Sequence, residues 1–296
     1  MSEFSEFAVL AVADIGATQT RVDTADMQGT QRGTPHYGAT NRDIYEGTIL
    51  GVAESMLEQA NGRPIAAASL VIAATVDHAT NRLTAAGHLS PWAGRQPSYD
   101  LAEALRLPPT KVGLLSDVEA IAASQSSINV GNLRRTDGFA ATVSSGLGGA
   151  FYRADGTIQG REWGHTFLRE GGVCPCGQMG CTEAFVSGKG ALLNTGTDMK
   201  THLEVPANRD LFVDDLATAV VGELGTLEKE YRFVPREWRW TGGVALNRPD
   251  LMLRVADEVR ARRDGFAPAF DTVTMGDRAG LHGSISDARE RAIAGV

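Results

Sequence analysis

The hydrophobic positions fall into short unbroken runs, separated by polar turns and by longer stretches of helical spacing. Phe7–Ala13 is one such run, of the kind expected for a strand buried on both faces. It ends in the polar turn Asp14–Arg21, and Val22–Ala25 predicts a second strand that stops at Met27-Gln28-Gly29. Apolar residues at Ile44, Ile49, Val52, Met56 and Leu57 predict an amphipathic helix over Arg42–Ala60, stopped by Asn61-Gly62. Ala67–Ala73 predicts another buried strand, Val76–Gln96 a polar connection, and Asp100–Leu105 a short helix ended before Pro108-Pro109. Lys111–Leu115 predicts a strand that delivers Ser116-Asp117-Val118-Glu119 to the start of a helix at Ala120–Ser124.

The opening design then returns about 130 residues later. Gly138–Val143 predicts a strand, Ser144-Ser145-Gly146-Leu147-Gly148-Gly149 a turn, and Ala150-Phe151-Tyr152 the return strand. Helices follow at Ala184–Leu193 and Leu216–Tyr231, then a strand at Glu237–Thr241 ending in Gly242-Gly243, and a helix over Arg248–Arg263. A last strand is expected at Asp271–Met275, and a closing helix from Ala279 through Ala294. Strands alternating with helices predict an α/β protein. The repeated strand–turn–strand unit predicts a duplicated fold whose halves face each other across a cleft.

Composition narrows the partners. The 296 residues carry a net charge of −8, against the concentrated basic face that binding to nucleic acid requires. The densest basic run, Arg260-Ala261-Arg262-Arg263, ends an amphipathic helix, where cations favour the dipole. Met1-Ser2-Glu3-Phe4 carries acid where a signal peptide needs base, and no apolar run approaches the ~20 residues that span a bilayer. The expectation is a cytoplasmic protein without a nucleic-acid or membrane partner.

All three cysteines lie between Cys174 and Cys181, with His165 a loop's length upstream. Three thiolates and an imidazole make a complete tetrahedral shell for zinc, and Gly171, Gly172, Gly177 and Gly180 let a short backbone fold them onto one point. The shell leaves no open position, so the zinc is expected to be structural. A disulfide between Cys174 and Cys176 is disfavoured by their tight spacing. A thiol oxidoreductase is disfavoured because nothing nearby singles out one thiol for activation.

Three further stretches can carry chemistry. The Asp14–Arg21 turn offers backbone N–H groups, the hydroxyls of Thr18 and Thr20 and the Asp14 carboxylate, a set that suits a phosphate and its Mg²⁺ and is also common in ordinary turns. Asp117, at the carboxyl end of a strand, reads in isolation first as a helix N-cap and second as a ligand-facing group, two roles that do not exclude each other. Gly242-Gly243 leaves room for a flat ring against backbone, or makes a tight turn.

Taken in order, these residues resemble the ROK family (repressors, open reading frames and sugar kinases) of the actin-like ATPase superfamily. The most specific stretch is Glu-x-Gly-His, eight residues, then Cys-x-Cys-Gly-x-x-Gly-Cys-x-Glu, present from Glu162 to Glu183. The resemblance runs from residue 8 nearly to the end of the chain. It implies the actin-like ATPase (ribonuclease H-like) fold with two lobes around a cleft. Residues 1–117 with 283–296 would form the small lobe, and 118–282 the large lobe with the zinc loop and adenosine site.

It also implies an ATP-dependent hexose kinase of the glucokinase type, using Mg²⁺ with ATP. Asp117 would be the general base, and Ser116, Glu162, His165 and Glu183 would bind the sugar. Asp14, Gly16, Thr18, Thr20 and Arg21 would form the first phosphate motif, Ser144, Ser145 and Gly146 the second, and Gly242 and Gly243 the adenosine motif. His165, Cys174, Cys176 and Cys181 would hold zinc, and the assembly would be a homodimer. The alternatives are an N-acetylhexosamine kinase or a non-catalytic sugar-binding regulator. The family's repressors carry a DNA-binding module ahead of the first phosphate motif, where this chain has about a dozen residues before Asp14. The pattern departs from the family's usual one at Ser116 (usually Asn), at Ala74-Thr75-Val76-Asp77 (usually a glycine-bearing turn) and at Ser144-Ser145 (usually Gly-Thr).

Overall fold

The computed structural model describes residues 7–16, 18–32, 34–85, 87–127, 136–263, 267–273 and 279–294. The elements in chain order are β1 (Val9–Ile15), β2 (Gln19–Asp26), β3 (His36–Ala39), α1 (Tyr45–Ala60), β4 (Ile65–Ile72), β5 (Thr75–Asp77), β6 (Arg82–Ala85), α2 (Pro97–Leu105), β7 (Val112–Ser116) and α3 (Asp117–Ser127). They continue with β8 (Gly138–Val143), β9 (Leu147–Tyr152), β10 (Ile158–Arg161), α4 (Thr182–Val186), α5 (Gly188–Thr195), α6 (Met199–His202) and α7 (Pro206–Tyr231). The last are β11 (Glu237–Thr241), α8 (Gly243–Asn247), α9 (Pro249–Arg262), β12 (Ala269–Thr272) and α10 (Ala279–Ile293).

The chain divides into two compact units, residues 1–127 with 278–296, and residues 128–277. The division falls after α3, ten residues beyond the expected 117, because α10 packs against α3 as well as against β1 and β4.

In the first unit the sheet runs β3-β2-β1-β4-β7, and in the second β10-β9-β8-β11-β12. Both have two antiparallel pairings followed by two parallel ones. This is the duplication that the repeated hairpin predicts, and with helices against mixed sheets it is the actin-like ATPase fold. β1 is buried on both faces. Ala11, Ala13 and Ile15 meet α1 and Leu70, while Leu10 and Val12 meet Leu281, Ile285 and Ala288 of α10. The core of the second unit is aromatic, with Phe139 stacked on Trp238 at 4.2 Å and Trp163 edge-on to both.

Several elements differ from expectation. β1 extends through Asp14 and Ile15, so the polar turn shrinks to the residues between Ile15 and Gln19. α1 buries Tyr45, Ile49, Val52, Ala53, Met56 and Ala60, leaving Ile44 and Leu57 exposed, since an apolar residue adjacent to a buried position points away from the core. The polar connection contains the β5–β6 hairpin and a buried Trp92. The helix expected over 184–193 is two helices broken at Ser187, whose hydroxyl caps α5 through the Gly190 N–H. α7 starts ten residues early, with Pro206 in its first turn. Short edge strands β3 and β10 have too little pattern to be read. β12 spans Ala269–Thr272, and Met275 of the expected last strand lies outside the described residues. No helix among the described residues is long and apolar enough to cross a membrane.

Candidate functional site

In the first unit the chemistry gathers at the carboxyl ends of parallel strands. Asp14 stands opposite Arg21 in the β1–β2 register, and the Gly16 N–H closes the turn on the Gln19 carbonyl at 3.0 Å. Thr18 is exposed and its carbonyl accepts from the Thr40 N–H, while Thr20 is buried with its hydroxyl 2.9 Å from that of Thr40. The Asp14 carboxyl is pushed up to about 6, chiefly by burial and then by the charge of Asp117, against a smaller opposing effect of Arg21. Two acidic side chains, from the ends of β1 and β7 on either side of β4, therefore share one local field, a setting that a divalent cation would relieve.

Asp117 follows β7 as the first residue of α3. It is not the helix cap. Ser116 takes that role, accepting the Glu119 N–H on its hydroxyl at 3.3 Å, while the buried Glu119 carboxylate accepts the Ser116 N–H at 2.8 Å. Ser116-Asp117-Val118-Glu119 is thus a reciprocal capping box. The other Glu119 oxygen meets His78 Nε2 at 2.8 Å. Glu119 and His78 were not among the expected site residues. The Ser-x-x-Glu spacing was visible in the sequence, whereas His78 is brought in only by the β5–β6 hairpin.

In the second unit the β8–β9 turn is braced from outside. The Ser144 and Ser145 carbonyls accept the Gly188 and Lys189 N–H groups at the start of α5, at 2.8 and 2.9 Å. Glu183 on α4 accepts the Leu147 N–H at 2.8 Å, and its carboxylate lies beside Gly146. The Glu162–His165 stretch reaches the same place. Trp163 is plugged into the aromatic core, and a Cβ on Gly164 would lie 2.2 Å from the Leu147 carbonyl oxygen, so only glycine fits there. That anchor leaves Glu162 and His165 on the surface to either side, with carboxylate and His165 Nε2 3.9 Å apart.

The other ring nitrogen of His165 faces the thiols. Nδ1 is 3.6 Å from Cys174 Sγ, Cys176 Sγ is 3.9 Å from Cys181 Sγ, and the four donor atoms all lie within 4.8 Å of one another. A tetrahedral zinc, with bonds of about 2.3 Å to sulfur and about 2.0 Å to nitrogen, sets its ligand atoms roughly 3.5–3.8 Å apart. The donor set and its spacing fit such an ion. The thiols sit in unequal surroundings. Burial pushes Cys174 up to about 12. Burial also opposes ionisation at the exposed Cys176, but the Gln178 N–H and the neighbouring thiols outweigh it and hold Cys176 below the usual thiol range. The expectation that no thiol is singled out is corrected on this point.

Gly242 ends β11 with φ +90° and caps α8, and a Cβ there would strike the Val143 carbonyl oxygen at 2.6 Å, so the glycine pair makes a tight turn against the end of β8. Gly243 has open space around it. The structure thus gathers Asp14, Arg21, Ser116 and Asp117 on the first unit, whereas Thr20 lies on the opposite face of the sheet, the side of Ile15 and Val22, with its hydroxyl turned to Thr40. It gathers Ser144, Ser145, Gly146, Glu162, His165, Glu183 and the cysteines on the second, with Gly242 at the neighbouring strand end. A groove of about 470 Å³ between β2–β3 and α1 lies on the Thr20 side of the sheet and touches none of the others.

A ROK family profile matches residues 10–219. No curated protein sequence matches the chain. Among solved structures, the chain is similar to a ROK hexokinase from Thermus thermophilus, at TM-score 0.74 and 21% identity, over 94% of this chain and 97% of the other. It is similar to a ROK glucokinase from Streptomyces griseus in complex with glucose and AMPPNP, at 0.67 and 22%, over 95% and 99%. It is also similar to a ROK transcriptional regulator, a homologue of the E. coli MLC protein, at 0.79 and 13%, over 97% and 79%. At these identities the likenesses bear on the fold.

Proposed function

Because the chain belongs to the ROK family, we propose that it is an ATP-dependent sugar kinase transferring the γ-phosphoryl group to the primary hydroxyl of a hexose, glucose first. The observation that supports this most is Asp117, set at a strand end by a closed capping box and sharing a local field with Asp14. Phosphoryl transfer needs alignment, neutralised phosphate charge and a carboxylate placed to take one proton. Asp117 takes the proton of the attacking hydroxyl. Asp14 would hold the Mg²⁺ that ATP carries, and the ion would supply charge neutralisation at the phosphates. Gly16, Thr18 and Arg21 line the first phosphate turn, and Ser144, Ser145 and Gly146 offer hydroxyls and backbone N–H groups in the second.

Gly242 and Gly243 give the adenosine ring access to backbone. Glu162, His165 through Nε2, and Glu183 bind sugar hydroxyls, and the Ser116 hydroxyl, which accepts from Glu119, keeps its own proton to donate. His165 through Nδ1 and the three cysteines hold a structural zinc that fixes the loop between Glu162 and Glu183.

The test is incubation with Mg-ATP and a panel of hexoses and N-acetylhexosamines, following ADP release. Release with a hexose supports the reading, and release confined to an N-acetylhexosamine moves the substrate to that class. Sugar binding by calorimetry with no release above background for any sugar would replace it with a non-catalytic sugar-binding protein.

A further inference from the structure

The strand–helix junction that presents Asp117 is held from a third element. Glu119 is 3% exposed, and a carboxylate so buried requires a partner on each oxygen. One oxygen takes the Ser116 N–H at 2.8 Å, and the other takes His78 Nε2 at 2.8 Å. His78 stands immediately after β5 and is half-exposed, so its ring closes the outer side of a pair whose inner side is the capping box. The other charged groups facing it, Asp287 and Arg291 of α10, are paired with each other at 3.0 Å, and Asp287 also accepts from the Ser69 hydroxyl. Glu119 is therefore the principal partner of the imidazole.

We propose that His78 is a positioning residue for phosphoryl transfer: by holding Glu119 it fixes the Ser116 backbone, and with it the direction in which Asp117 leaves the β7–α3 junction. The proposal rests on the reading of Asp117 as the base. Removing the imidazole takes a charge-assisted donor from the buried Glu119 carboxylate, which then turns toward water to replace it. The Ser116 N–H then loses its acceptor and the first turn of α3 loosens. A displacement of about 1 Å at a reacting group costs about a hundredfold in rate. Glutamine in place of His78 retains an N–H donor of similar reach, so it preserves the bond without the ring.

The experiment compares His78→Ala, His78→Gln and Asp117→Asn in the full chain, with two readouts. In steady-state kinetics His78→Ala is expected to lower kcat about ten- to a hundredfold with KM for ATP within about twofold, and His78→Gln to recover most of it. In amide hydrogen exchange, which needs no activity, His78→Ala is expected to speed exchange at Ser116 by about tenfold, and His78→Gln to leave it slow. Unchanged exchange at Ser116 in His78→Ala would overturn the proposal, as would parallel loss of kcat and melting temperature in both His78 variants. An active Asp117→Asn would overturn the proposal together with the reading it rests on. An inactive Asp117→Asn beside a fully active His78→Ala would overturn the positioning alone.

Discussion

The β1–β2 turn and the β8–β9 turn open sheets of the same strand order, yet they are held by different means. The first is carried by its own strands, and charge is concentrated beside it, with Asp14 in the strand itself and Asp117 close enough to raise its pKa. The second is neutral and small, Ser144-Ser145-Gly146, and its rigidity comes from outside, from the Glu183 carboxylate and the first turn of α5. Both braces follow the cysteine loop directly in the chain. A duplicated backbone has thus been given charge in one copy and borrowed stiffness in the other. On the proposed reading both copies place phosphates, and the first works on protons and metal charge as well.

The two turns should differ most at Asp117. Asp117→Asn keeps the volume and removes the base, and kcat should fall by roughly 10²–10⁴ with the melting temperature nearly unchanged. Comparable activity in this variant would remove the chemical role of the first copy. Next comes the cysteine loop. Cys181→Ser, or chelation of the purified protein, should release one zinc per chain, lower the melting temperature by roughly 5 °C or more, and expose Cys176 first to an alkylating reagent, since Cys174 and Cys181 are buried. Protein without stoichiometric metal and with unchanged melting would mean that the second copy is stiffened by hydrogen bonds alone.

A smaller effect is expected at Glu183. In Glu183→Ala the buried Leu147 N–H loses its acceptor, worth about 1–3 kcal/mol, and binding of a non-hydrolysable ATP analogue should weaken by roughly tenfold. Glu183→Gln keeps an acceptor and should bind the analogue nearly as the parent does. Equal loss in both would assign Glu183 to the sugar alone. The smallest effect is one of pH. With its carboxyl raised to about 6, Asp14 binds a proton in the folded chain that the unfolded chain releases near pH 4. Stability should therefore fall as pH rises from about 4 to about 6, and affinity for Mg-nucleotide should fall as pH drops below about 6. Asp14→Asn should flatten the part of the stability slope that Asp14 contributes.

Much of this was legible in the chain, for identifiable reasons. The buried strands and both hairpins announce themselves because unbroken apolar runs and glycine-bearing turns are local signals. The cysteine loop is legible because metal-ligand spacing is sequential, and its four donors do converge. The cap at the start of α3 reads one residue late, at Asp117, although Ser116 and Glu119 carry the Ser-x-x-Glu spacing of the capping box that the structure shows. What could not be read depends on tertiary placement. His78 sits 41 residues before Glu119. Glu183 turns to the Leu147 N–H because α4 breaks at Ser187 and α5 returns to the β8–β9 turn. Gly164 is dictated by the Leu147 carbonyl oxygen at the start of β9.

The most direct measurement is phosphorus NMR of the protein with Mg-ATP and each hexose in turn, compared with Asp117→Asn under the same conditions. The account predicts equal growth of ADP and hexose 6-phosphate resonances with the parent chain and almost none with the variant. ATP remaining intact with every hexose and N-acetylhexosamine, or turnover undiminished in Asp117→Asn, would contradict it.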